Sequence, residues 1–298
     1  MNKLPKALGS CPVRKPKLWL ALMFSLGFVV SGLGAVPLTR GHAHNDYAHK
    51  RPLLDALDQG FCSVEADIYL VDGQLLVAHN LADVKPGRTL QNLYLDPLRE
   101  RFRTNGGHIY PGFATNTGWA IPLSTNAPPV EFTLLIDIKR DGAAEYAVLR
   151  DVLAGYEGML THFTPTSTVP GAITVILSGD RPIQLVANEN QRLCALDGRI
   201  SDLKTNPSVH LFPLISENWK PTFGPFTAAG LSEADRARLR ELVFTAHSQG
   251  RRLRFWGTPD QPFAWRELYS EGVDLLNTDN LAGLAAMLQD APSTAPPP

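Results

Sequence analysis

Cysteine is scarce in this 298-residue chain, which holds only Cys11, Cys62 and Cys194. No Cys-x-x-Cys and no His-Glu-x-x-His pattern occurs, so zinc has no obvious home. There is no internal repeat and no excess of base: 28 Lys and Arg stand against 29 Asp and Glu. Only one long apolar run is present, Leu18 to about Val30. Lys3, Lys6, Arg14, Lys15 and Lys17 precede it, and Ser31-Gly32-Leu33-Gly34-Ala35 follows. Basic, apolar and small-residue regions in that order make a secretory signal over residues 1–35, with cleavage near Ala35. An uncleaved N-terminal anchor is the alternative, although the run is marginal for a spanning helix. Removing the five bases of that segment leaves 23 bases against 29 acids, a net charge of −6. That balance argues against nucleic acid and against electrostatic docking on an anionic membrane. A lipid substrate bound by apolar loops, with a peripheral membrane contact, stays open. The expected location is secreted or periplasmic. Cys62 and Cys194 could pair in an oxidising compartment, and a small buried residue at Cys62 is equally natural.

From residue 36 to 290 strands alternate with helices, the pattern of a parallel sheet or barrel. Strands are expected at Val36–His42, Phe61–Tyr69, Phe132–Lys139, Ala172–Leu177, His210–Ile215, Leu253–Trp256 and Asp274–Asn277. Weaker ones are expected at Pro182–Ala187 and Leu193–Leu196, and a short one at Gln74–Ala78 after the Asp72-Gly73 turn. Helices are expected over Pro52–Gln59, Thr89–Arg103 (Pro97 being a break or an N1 residue), Asp141–Tyr156 and Ser232–Gln249. Gly106 to Pro129 reads as a long loop, and Ala291–Pro298 as a disordered or extended tail. About eight barrel strands result, so the fold expected is an α/β (β/α)8 TIM barrel, as a single monomeric domain.

The strand Val64-Glu65-Ala66-Asp67-Ile68-Tyr69 concentrates the chemistry. Side chains alternate along a strand, so Glu65 and Asp67 share a face. Two unpaired carboxylates on a buried face are costly, and a bound cation offsets that cost. His42 and His44 end the first strand, and His79 follows the short hairpin. Asp137 and Lys139 again lie two apart on a strand. In a βα barrel these strand ends converge at one rim. Such a set matches phosphoryl chemistry. Oxygen ligands suit Mg²⁺ or Ca²⁺, the cation and Lys139 would hold a phosphodiester, and paired histidines could supply general base and acid.

The order His, Glu-x-Asp, Asp-Gly, His is similar to the glycerophosphodiester phosphodiesterase and phosphatidylinositol-specific phospholipase C superfamily. The residues are Ala43-His44-Asn45, Glu65-Ala66-Asp67, Asp72-Gly73 and His79-Asn80. Asp137-Ile138-Lys139 stands where glycerophosphodiesterases have Glu-x-Lys, and looks more like the venom sphingomyelinase D branch. His42-Ala43-His44-Asn45-Asp46-Tyr47 with Ser63-Val64-Glu65-Ala66-Asp67 looks closest to the altered-inheritance-of-mitochondria branch, described as phospholipase-C-like. The resemblance implies one divalent cation on Glu65, Asp67 and Asp137. It implies catalysis by His44 (or His42) with His79, and phosphate contact by Lys139. Asn45 replaces the arginine expected beside the histidine, so phosphate binding there is weakened or reassigned. A matching tryptophan lines the sphingomyelinase D pocket, which makes Trp256 a substrate-side candidate beside a core reading.

The expectation is a metal-dependent phosphoric diester hydrolase for a small-molecule or lipid phosphodiester. A lyase of sphingomyelinase D type that forms a cyclic phosphate is the second enzyme reading, and a ligand-binding barrel without catalysis is a third. A glycosidase fits less well, because it gives no reason for the Asp137-x-Lys139 pair or the two histidine stations.

Overall fold

The computed structural model describes Met1 and residues 35–116, 119–122 and 129–291. The expected leader and tail lie outside the described residues, apart from their inner ends. Residues from Gly34 onward form a unit of their own, and everything below lies in it.

Eight parallel strands close into a barrel: β1 (Leu38–Ala43), β2 (Phe61–Val71), β3 (Phe132–Ile138), β4 (Ile173–Gly179), β5 (Ala195–Gly198), β6 (Leu214–Asn218), β7 (Arg252–Trp256) and β8 (Leu275–Thr278). β1 pairs with both β8 and β2, which closes the ring. Helices α1 (Leu54–Asp58), α2 (Asp96–Thr104), α3 (Gly142–Ala154), α4 (Ile183–Ala187), α5 (Ile200–Thr205), α6 (Trp219–Phe223), α7 (Glu233–Ser248), α8 (Pro262–Ser270) and α9 (Leu281–Asp290) connect the strands or follow the last. This is the (β/α)8 arrangement that the alternation predicts. Gln74–Val77 adds an antiparallel strand to the outer end of β2.

The two faces of the strands make two separate cores. Val64, Ala66, Leu134, Ile136, Val175, Leu177, Ile215, Phe255 and Leu276 join the helices' Leu57, Leu98, Leu149, Leu239, Trp265 and Leu284 in the outer core. Leu135, Ile176, Leu214 and Leu275 form a small core of their own from the other face, one layer of the lumen. On one side of that layer the Arg252 guanidinium donates to Thr133 Oγ1 across the barrel, at 3.1 Å. On the other side lie the polar residues of the mouth. Register carries that layer around the ring: Asp67 pairs with Asp137, and Asp137 with Ser178.

Several local expectations are corrected. Pro182–Ala187 is not a strand but ends in α4, which buries Val186 and leaves Ile183 and Leu185 exposed. A short apolar run does not distinguish the two periods. The loop from Gly106 contains paired strands at Phe113–Asn116 and Trp119–Pro122. β6 begins at Leu214, four residues after His210, and runs on to Asn218. Pro97 sits in the first turn of α2, and Ser232 caps α7 by accepting from Asp235 N–H. Cys62 and Cys194 are both buried free thiols, so they do not pair.

The β1–α1 loop is tied down by one buried carboxylate. Leu53 N–H and the Tyr94 hydroxyl donate to Asp46 Oδ2 at 2.5 and 2.9 Å. Burial lifts its pKa from 3.8 to about 6. The unfolded chain ionises this group first, so the native state is most favoured below pH 4 and loses that advantage as pH rises to 6. The loss expected from this group is about 3 kcal/mol. Asp46→Asn keeps an acceptor oxygen and is expected to flatten that slope in urea unfolding across pH 4–7. A wild-type-minus-variant difference that ignores pH would contradict this.

Candidate active site

β1 and β2 lie side by side, with His42 level with Ser63. On β2 the alternation buries Val64, Ala66 and Ile68 outward and turns Ser63, Glu65 and Asp67 into the lumen. Glu65, Asp67 and Asp137 each bring a carboxylate oxygen within 4.8 Å of the others. This is the trio expected from sequence. Lys139 joins it, with its Nζ 3.1 Å from Asp67 Oδ2 and 3.6 Å from Asp137 Oδ1.

Glu65 is held from behind. The Arg254 guanidinium donates to Glu65 Oε2 at 2.7 Å and, through Nε, to Asn277 Oδ1 at 2.7 Å. His42 Nε2 lies 3.2 Å from the same Glu65 oxygen, and His42 Nδ1 lies 2.7 Å from Ser63 Oγ. The tautomer that satisfies both has the serine hydroxyl donating to Nδ1 and Nε2–H donating to Glu65. Burial works against the Glu65 charge, but Arg254 and His42 outweigh it and hold the carboxyl well below its usual range. Burial and Arg254 push the His42 pKa down to about 3, so this histidine stays neutral. It is fully buried with both ring nitrogens engaged, which removes it from proton transfer and makes it a support for Glu65.

The other two histidines open outward. His44 N–H continues the β1 pairing by donating to Thr278 C=O, and Asp279 follows β8. Asp279 Oδ1 accepts from His44 Nδ1–H at 2.8 Å and from Asn45 Nδ2 at 3.3 Å. The His44 Nε2 then faces Glu65 Oε1, 3.9 Å away. Burial opposes the charged ring, but the bond to Asp279 and the Glu65 charge prevail and raise the His44 pKa. His79 Nδ1 lies 3.2 Å from Asp67 Oδ2 and 3.1 Å from the Tyr47 hydroxyl, leaving Nε2 unengaged. Tyr47 also reaches Asp67 Oδ2 at 2.7 Å and Asn45 Oδ1 at 2.5 Å. Burial and the Asp67 charge raise the phenol pKa, so Tyr47 remains a neutral donor.

Asn45 adopts a left-handed backbone, φ 47° and ψ 35°. Asparagine tolerates that conformation better than most residues, arginine included. The residue that stands in for the expected arginine is therefore suited to the turn.

The trio fits a cation on two observations. Burial and the neighbouring Glu65 charge raise the Asp67 pKa. Burial, with the Asp67 and Glu65 charges, outweighs Lys139 and raises Asp137 to about 6. Second, Asp67 Oδ1 is buried with no hydrogen-bond partner. Crowded carboxylates and an orphaned acceptor are what a divalent ion relieves.

A cleft of about 380 Å³ is lined by Asn45, Tyr47, Ala48, His49, His79 and Asp279, and by none of the three carboxylates. Trp256 is 37% exposed at the end of β7 and is not part of that lining. The sequence motifs assign no role to Arg254, and Tyr47 stands in a motif without one. An arginine between Leu253 and Phe255 in a strand was the available signal for the first.

Residues 33–197 match the family model described as AIM6-like phosphodiesterase domain. The Altered inheritance of mitochondria protein 6 homolog of Arthroderma benhamiae is 29% identical over 271 residues, 85% of this chain and 84% of that one. Altered inheritance of mitochondria protein 6 of Eremothecium gossypii is 32% identical over 270 residues, 82% of this chain and 68% of that one. The crystal structure of glycerophosphodiester phosphodiesterase from Agrobacterium tumefaciens aligns with TM-score 0.46 and 16% identity, over 85% of this chain and 100% of that one.

Arg254 is buried with its partner, so removing it strands a charge. Arg254→Met is expected to cost about 3–5 kcal/mol in urea unfolding. The double variant Arg254→Met, Glu65→Leu should recover most of it. A single variant as stable as wild type would show that the pair does not hold the mouth together.

Proposed function

We propose that this chain, which belongs to the AIM6-like phosphodiesterase domain family, is a metal-dependent phosphoric diester hydrolase for a glycerophosphodiester or phospholipid-type substrate. The observation that carries this reading is the gap between Glu65, Asp67 and Asp137, with Asp67 Oδ1 buried and partnerless and two histidines opening beside it. One divalent cation, Mg²⁺ or Ca²⁺, would be held by the three carboxylates and would supply positive charge to the phosphate. Lys139 contacts a phosphate oxygen from the Asp67–Asp137 side, and the Asn45 amide borders the cleft from the other side.

His44 and His79 both have Nδ1 engaged, so each offers Nε2 to the substrate. The raised pKa of His44 suits the protonated partner. In the step proposed, a substrate hydroxyl forms a new bond to phosphorus and gives its proton to His79 Nε2. The bond to the leaving oxygen breaks, and that oxygen takes a proton from His44 Nε2–H. A cyclic diester results. Water then opens it, with the histidines in reversed roles. Asp279 and Tyr47 hold the two rings rather than touch the phosphorus. Trp256 offers an apolar face near the rim for a lipid or head-group portion.

A lyase that releases the cyclic product is favoured by one feature, the Asp137-Ile138-Lys139 sequence in place of Glu-x-Lys. Export to a secreted or periplasmic location, as a monomer that meets a membrane peripherally, completes the proposal and rests on the leader pattern of residues 1–35. No helix among the described residues is long and apolar enough to cross a membrane.

Turnover of bis-p-nitrophenyl phosphate that a chelator abolishes is expected. His44→Ala and His79→Ala should each lower kcat by roughly 10²–10⁴. Full activity in either variant would overturn its acid–base role. No turnover of any phosphodiester by metal-loaded protein would favour a binding barrel. Phosphorus NMR on glycerophosphocholine, phosphatidylinositol and lysophosphatidylcholine separates hydrolase from lyase, since a cyclic end product marks the lyase.

A further inference from the structure

We infer that the β4–β5 side of the mouth holds a second anion subsite, made by Arg181 and Arg199, so that the substrate is a phosphodiester whose head group carries a further anionic group. The inference rests on the phosphodiester reading above and names its substrate class. β4 lies between β3 and β5, which puts β5 about 10 Å round the ring from Asp137 at ordinary strand spacing. Ser178 pairs with Asp137 in register, and its hydroxyl donates to Asp197 Oδ2 on β5 at 3.0 Å. Asp197 therefore faces the lumen, while its neighbour Leu196 belongs to the outer core. Arg199 follows two residues later on extended backbone, φ −125° and ψ 164°, so it shares the Asp197 face at the rim. Its Nη1 donates to Asp197 Oδ2 at 3.0 Å and to Gly198 C=O at 2.9 Å. Arg181, in the loop after β4, donates through Nη1 to Asp197 C=O. Two guanidinium groups thus meet at one strand end.

These two groups lack acceptors. Among the described residues Arg199 has one carboxylate partner, Asp197, and Arg181 has none. The other acids nearby turn to backbone N–H groups. Asp180 Oδ2 accepts from Gly142 at 2.9 Å, Asp202 Oδ2 from Arg199 at 2.7 Å and Glu217 Oε1 from Asn218 at 3.1 Å. A guanidinium presents N–H donors on all three nitrogens. Only Nη1 of each arginine meets an acceptor among the described residues, which leaves Nε and Nη2 of both open. The unpartnered nitrogens of Arg40, Arg192 and Arg251 are sealed inside the protein, whereas those of Arg181 and Arg199 are not. Burial and the Arg199 charge pull the Arg181 pKa below its ordinary value, as expected of a cation short of partners. An oxyanion between the two forks supplies the missing acceptors through charge-assisted bonds. One phosphate does not span the distance from Asp137 to β5. The anion at the arginines is therefore a second group on the same molecule, a carboxylate or a phosphomonoester.

The test uses two pairs of probes that differ by one anionic group. Glycerophosphoserine against glycerophosphoethanolamine reads a carboxylate, and a glycerophosphoinositol monophosphate against glycerophosphoinositol reads a phosphomonoester. Each probe is titrated calorimetrically into the full-length His44→Ala chain with Mg²⁺, and kcat/KM is measured on the wild type. The expected result is a preference of roughly tenfold or more for the anion-bearing member of one pair. The pair that shows it identifies the anion. Arg181→Gln is expected to bring that ratio close to one, and Arg181→Lys to an intermediate value. The ratio is taken within one protein, so a loss of folded material does not imitate it. Arg199→Lys keeps a charge beside Asp197 and is expected to lower the ratio several-fold. Equal binding within both pairs, or a preference that Arg181→Gln leaves intact, would overturn the subsite and leave the phosphodiesterase reading standing. An Arg181-dependent preference in binding, with no turnover of any probe by the wild type, would uphold the subsite and overturn the hydrolase reading.

Discussion

Three carboxylates crowded into the mouth of a barrel need counter-charge, and that need organises the site. Glu65, Asp67 and Asp137 are too close to remain ionised unaided. Arg254 reaches in from β7 and Lys139 from the end of β3, which leaves one uncompensated negative charge. The remaining pieces follow from keeping those groups in place. Glu65 accepts from Nε2–H of His42 and so sets its tautomer, Ser63 donates to the other ring nitrogen, and Asn277 orients Arg254. A divalent ion at the gap would change the balance to a single positive charge, matched to the single negative charge of a phosphodiester.

The alternation of β2 made the inward pair Glu65 and Asp67 readable from sequence, and the repeat of i and i+2 at Asp137 and Lys139 extended it. The barrel was legible for a similar reason, since buried parallel strands read as short apolar runs between helices. What stayed hidden depended on contacts between distant segments. Arg254 meets Glu65 across 189 positions, and Asp279 meets His44 across 235. No local period encodes such pairs. His42 illustrates the same limit. Two positions from His44, it shares its face on β1, yet only the neighbouring Ser63 and Glu65 show that both its nitrogens are occupied. α4 stands where a strand is expected because Ile183, Leu185 and Val186 suit either period, and only packing selects Val186.

The family relation and the local chemistry carry different parts of the account. Membership speaks for phosphodiester chemistry in general. The cleft beside His79 and Asp279, the left-handed Asn45 and the arginine behind Glu65 belong to this chain. Positive charge reaches the lumen from Arg254 on β7, two strands round the barrel from β1, rather than from the turn after β1. The mouth then combines a carboxylate floor that keeps one uncompensated negative charge with two histidines, His79 with Nε2 unengaged and His44 with Nε2 3.9 Å from Glu65 Oε1.

Anomalous diffraction from crystals grown with Mn²⁺ tests the central claim most directly. The account predicts a single manganese peak bonded to one oxygen from each of Glu65, Asp67 and Asp137, with Arg254 still on Glu65 and Lys139 still on Asp67. A peak elsewhere on the barrel, or no peak at saturating Mn²⁺, would contradict it.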